Sequence, residues 1–116
     1  MRKIILGMTQ IGFNTIEFDG PWYLFGDYLT SQDNEEDLAE ILSTTHRVIS
    51  GEIGEATLTD DYIVLTLNHD QMTSHLIMDQ PIRTDYESEM PLQVFCQMAH
   101  IWYHYRKLRE CMLAMS

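Results

Sequence analysis

The sequence predicts an α+β fold in a single domain over residues 1–116, an antiparallel meander sheet packed by one amphipathic helix near 34–50 and a long C-terminal helix near 91–112. Three observations carry this. Leu38, Ile41, Leu42, Thr45, Val48 and Ile49 recur at the i, i+3, i+4, i+7 spacing of a helix with one buried face. Three β-rich runs, Glu55 to Thr59, Tyr62 to Asn68 and Thr73 to Met78, are separated only by short polar turns. Finally, a strongly apolar segment follows Pro91 without a further turn signal. With 116 residues the chain is long enough for one core and too short for two.

From the amino end, Lys3 to Met8 and Gly12 to Phe18 read as extended segments, with Phe13 and Phe18 as inward residues. Asp19-Gly20-Pro21 is a turn signal, and Pro21 suits the first position of a short helix that sets Trp22, Phe25 and Leu29 on one side. Asp33 caps the next helix. Glu36, three residues on, completes a capping-box pattern, and Gly51 supplies the stop. In the meander, Asp60-Asp61 and His69-Asp70-Gln71 are the connecting turns. Residues 80–91, with two prolines and several charges, read as a loop holding at most an edge strand around Ile82 to Tyr86.

Charge narrows the function classes. Eighteen acidic residues face seven basic ones, a formal net charge of -11, and between Glu17 and Glu89 only Arg47 and Arg83 interrupt the carboxylates. Phosphate binding needs clustered Lys and Arg, so nucleic acid is excluded as a direct partner. Anionic membrane surfaces are disfavoured on the same ground. The opening MRKIILGMTQIG has too brief an apolar run for a signal peptide, and no segment approaches the roughly 20 apolar residues of a membrane-spanning helix. Two cysteines, Cys96 and Cys111, fall in one helix roughly 22 Å apart and cannot pair with each other. Free thiols suit a reducing cytoplasm.

The stretch CQMAHIWYHYRK places Cys96, His100 and His104 four residues apart. On a helical wheel Val94, Phe95, Met98, Ala99, Ile101, Trp102, Tyr105 and Leu108 form a wide apolar arc. His100 and His104 fall on the remaining polar strip, with Cys96 at its border. A zinc site wants three or four ligands, and the glutamate of H-E-x-x-H is missing, so the pair predicts neither a metal nor a metalloprotease. No context lowers a thiol pKa, and no Gly-rich phosphate loop is present. No cofactor is called for, and an enzyme is not expected.

What remains is a binding protein. Glu36, Asp37 and Glu40 on the outward side of the acidic helix, together with Asp33, Glu35, Asp60 and Asp61, offer carboxylates to a basic protein partner. Tyr23, Asp27 and Tyr28 offer exposed aromatic anchors beside a charge. In size, acidity, the DNEEDLAEIL helix and these tyrosines the chain resembles bacterial toxin-immunity proteins, such as those of contact-dependent growth inhibition systems. The resemblance implies a cytoplasmic antidote that binds a matching toxin domain, commonly a nuclease, and blocks its active site or substrate entry; the sequence leaves the oligomeric state open, with a monomer favoured. Two other classes compete: an acidic dimeric secretion chaperone or adaptor with exposed apolar surface at Met112 and Met115, and a small metal protein or enzyme using His100 and His104.

Overall fold

The computed structural model describes residues 4–8, 14–18, 22–30, 32, 35–60, 63–80 and 83–115. Strands β1 (Ile4–Met8) and β2 (Asn14–Phe18) pair antiparallel as a separate two-stranded sheet, with Ile4 opposite Phe18 and Met8 opposite Asn14. Helices α1 (Tyr23–Thr30) and α2 (Glu35–Ile49) follow. Then come β3 (Glu55–Asp60), β4 (Ile63–Asn68), β5 (Thr73–Gln80) and β6 (Arg83–Pro91), and the chain continues into α3 (Leu92–Met115). The four strands form an antiparallel sheet in chain order, which is the expected meander.

Register explains which face is buried. Leu58, Leu65, Leu76 and Ser88 lie opposite one another across the sheet, as do Ala56, Leu67, Ser74 and Met90. Because strand side chains alternate, these two rows point to the same face. Leu65, Leu67, Leu76 and Met90 on them are buried. Ser74 is buried there too, its hydroxyl donating to the Met90 carbonyl at 2.9 Å, so the polar atom costs little. The alternate residues Thr57, Thr59, Glu87 and Glu89 are exposed.

The helices cover the buried face. Helix α2 touches β3 and β4, and α3 touches β5 and β6. One core results, joining Leu24, Phe25 and Leu29 of α1, Leu38, Ile41 and Val48 of α2, and Leu92, Phe95, Ala99 and Trp102 of α3 to the sheet leucines. Phe25 and Phe95 lock α1 to α3 with ring centroids 5.8 Å apart.

Three expectations need correction. Residues 83–91 are a nine-residue strand paired along β5 rather than mostly loop. Alternation in Glu87-Ser88-Glu89-Met90 puts the acids outward and Ser88 and Met90 inward, so the charges that suggested a loop belong to an exposed strand face. Pro91 ends this edge strand, where its missing N–H costs no ladder bond, and α3 begins one residue later. Tyr28, expected to be exposed, is 2% exposed, because it follows Phe25 by three residues and so shares its buried face. Ile101 and Leu108, placed in the core by the wheel, are 40% and 59% exposed. The apolar arc of α3 is wider than its neighbours can cover, and the buried line runs through Leu92, Phe95, Cys96, Ala99 and Trp102.

Helix α2 stops where the sequence predicts. Gly51 sits at φ 82°, in the left-handed region, and its N–H reaches the Val48 carbonyl at 3.1 Å. That carbonyl also bonds the His69 ring through Nδ1 at 2.8 Å, which ties the helix end to the turn between β4 and β5. A Cβ at Gly51 would lie 3.2 Å from the His69 ring. Gly51→Ala therefore carries both backbone strain and crowding, and should lower unfolding free energy by about 1–2 kcal/mol in urea titration.

Candidate functional site

Two features of α2 stand out, one on each of its flanks. The first is acidic. Glu36, Asp37 and Glu40 are exposed, as the wheel predicts. Asp37 and Glu40 have no ion pair among the described residues. With Tyr28, Gln32, Leu58 and Thr59 they line a depression of about 210 Å³ between the helix and β3. Tyr28, buried as it is, forms part of this lining, so three expected contact residues converge here. Of the others, Asp33 and Asp61 lie outside the described residues, as do the side chains of Tyr23, Asp27 and Asp60, whose backbones belong to α1 and β3.

Glu35 is engaged inside the molecule. Its carboxylate pairs with Lys107 and accepts from the Tyr103 hydroxyl at 3.5 Å. The Lys107 ammonium beside it holds the Glu35 carboxyl below its ordinary value of 4.5. Arg106, next along α3, donates to the Gln32 carbonyl and lies over the Trp102 ring. Lys107 and Arg106 of α3 thus hold the chain at the start of α2.

The opposite flank carries the second feature. His46, in the last turn of α2, meets Cys96 and His100 on the first half of α3. The Nε2 atoms of His46 and His100 are 2.7 Å apart, and Cys96 Sγ lies 3.9 Å from His46 Nε2. All three donor atoms fall within 4.8 Å of one another. Since Glu35 meets Lys107 while His46 meets Cys96 and His100, α2 and α3 run antiparallel. His104 stacks on His100 with centroids 6.1 Å apart and is exposed. Burial, then the His46 and His104 rings, hold His100 below the ordinary imidazole value, and burial pushes the Cys96 thiol up.

Sequence spacing had placed Cys96 and His100 one turn apart on a helix, but it gave no sign that His46 would complete the group. The other histidines serve structure: His69 caps α2, and His75 pairs with Glu87 across β5 and β6 at 3.0 Å. Cys111 is exposed and distant along α3. Among the described residues no helix is long and apolar enough to cross a membrane. Comparison with protein-family models, curated proteins and solved structures returns no match.

The Glu35 clamp gives a pH prediction. A carboxyl held low in the folded state contributes stability that is fully present above its unfolded value near 4.5 and is lost as pH falls through the lower folded value. The urea midpoint of the wild type should exceed that of Glu35→Gln at pH 7, and the gap should close progressively below pH 4.5. An unchanged gap at pH 3 would assign the effect to packing instead.

Proposed function

We propose that this protein is an immunity-type inhibitor, acting in the cytoplasm, that neutralises a basic toxin domain, a nuclease, by docking the acidic flank of α2 over its substrate cleft. The observation that carries this is the cleft rimmed by Asp37 and Glu40, two exposed carboxylates with no ion pair among the described residues, with Tyr28 in its wall. A site of this shape accepts a lysine or arginine side chain, with charge-assisted hydrogen bonds to the carboxylates. Nuclease clefts present such residues to phosphate, and a carboxylate-bearing surface stands in for the phosphates it excludes. Inhibition then follows from occlusion and needs no catalytic group. The net charge of -11 adds long-range attraction that speeds encounter with a basic partner.

The test is binding to, and inhibition of, any basic toxin domain encoded by a reading frame neighbouring this protein's gene. Asp37→Lys with Glu40→Lys should slow association about tenfold or more at low ionic strength, and added salt should shrink the difference. Glu52→Lys, on an acid already paired with Arg47 at 3.2 Å, should change little. Unaltered association of the Asp37/Glu40 double variant would remove the cleft from the interface.

A second reading, an acidic dimeric secretion chaperone or adaptor, draws support from the exposed line of Ile101, Leu108 and Met112 on α3. These recur at i, i+7 and i+11, along one side of the helix. Light scattering separates the readings: a monomer across micromolar concentrations favours the inhibitor, whereas a dimer that Leu108→Glu dissociates favours the chaperone.

A further inference from the structure

We propose that His46, Cys96 and His100 form a binding site for a borderline-soft divalent cation of the zinc type, which joins α2 to α3. The donors come from two elements. Cys96 and His100, four residues apart, share one face of α3, and the antiparallel packing of α2 brings His46 against them. The two imidazole nitrogens lie 2.7 Å apart and the sulfur 3.9 Å from His46 Nε2. In a tetrahedral zinc site, metal–nitrogen bonds of about 2.0–2.1 Å and a metal–sulfur bond of about 2.3 Å set nitrogens about 3.3 Å apart and sulfur about 3.6 Å from nitrogen. To reach that arrangement the two rings part by about 0.6 Å, and the sulfur, within 4.8 Å of both nitrogens, closes on them by about 1 Å at most, movements that side-chain rotation supplies. His46 is exposed, so its ring has room to turn.

Donor chemistry selects the cation. Two imidazoles and one thiolate suit zinc, copper or cobalt and reject magnesium and calcium, which take oxygen ligands. The pair of Nε2 atoms at hydrogen-bond distance also needs a bridge: in the metal-free protein the Nε2–H of one ring donates a hydrogen bond to the Nε2 lone pair of the other. On metal binding both rings take the Nδ1–H tautomer and present Nε2 lone pairs, so the shared proton moves to Nδ1 of its own ring. Cys96 releases its thiol proton to water, and the cation's charge supports the thiolate in its buried setting. Three protein ligands leave a fourth position for water or for a donor from another molecule, on the side where His46 and His104 are exposed.

The inference is independent of the acidic cleft, which lies on the other flank of α2. The experiment uses the metal-stripped full chain titrated with zinc chloride against a chromophoric chelator, and separately with cobalt chloride. The expected result is one equivalent bound with Kd below about 1 µM, as three strong ligands allow. Cobalt should show a thiolate charge-transfer band and the intense visible bands of a tetrahedral ion. Zinc at 100 times Kd should raise the melting temperature by about 10 °C. His46→Gln, His100→Gln and Cys96→Ser should each weaken zinc binding at least tenfold, whereas Cys111→Ser and His75→Gln should leave it intact. If Cys96→Ser fails to fold, His46→Gln, at an exposed position, still decides. One-equivalent binding that survives His46→Gln, cobalt binding without the thiolate band, displacement by millimolar calcium, or no saturable binding below about 100 µM would overturn the site.

Discussion

The antiparallel seam between α2 and α3 is the contact on which the rest of the molecule depends. The sheet alone buries one face through Leu65, Leu67 and Leu76, and that face has to be covered. Helix α2 covers β3 and β4, and α3 covers β5 and β6, so the two helices must meet along the middle of the sheet. Trp102, Phe95 and Ala99, each 1% exposed or less, fill the space between them and the strands. At one end of the seam Lys107 and Tyr103 hold Glu35, and at the other His46 meets Cys96 and His100. The first junction is wet and electrostatic, while the second brings together polar donors beside a buried thiol.

That seam also decides how the charge is displayed. Seven cations serve eighteen acids, and several of the cations are used internally. Lys107 pairs with Glu35, Arg106 reaches the Gln32 carbonyl and Trp102, and Arg47 pairs with Glu52. The flank of α2 turned away from α3 is therefore left with carboxylates, and Asp37 and Glu40 rim a depression with no opposing positive charge from the described residues. Among the described residues, an acidic composition becomes a directed surface because Lys107 and Arg47 are engaged by Glu35 and Glu52 and leave Asp37 and Glu40 unpaired. Such a surface steers basic partners more than it stabilises the fold.

Legibility in the sequence followed the range of the interactions concerned. The buried face of α2 was plain from the spacing of Leu38, Ile41, Leu42, Thr45 and Val48, all buried in the structure. Gly51 as its terminator was equally plain, since a left-handed residue at a helix end favours glycine. Glu87 and Glu89 suggest a loop at β6, whereas their alternation with Ser88 and Met90 is the pattern of a strand with one exposed face. Tyr28 reads as exposed from its neighbour Asp27, whereas its helical spacing to Phe25 sets it on the buried face. Ile101 and Leu108 show the opposite error: an apolar residue on a wheel is a possible core position, and only the number of neighbours available decides burial.

By itself the sequence determined the α+β class, the meander, the inner face of α2 and the acidity of its outer face, because local periodicity and composition carry those directly. Tertiary structure alone decided that His46 stands beside Cys96 and His100, fifty or more positions away in the chain. It alone turned Glu35 toward Lys107 while leaving Asp37 and Glu40 at the cleft. Helical spacing tells which residues share a face, but the partner that each face meets depends on how two helices are laid across a sheet. That choice is made by burying the whole apolar surface at once, and no single segment records it.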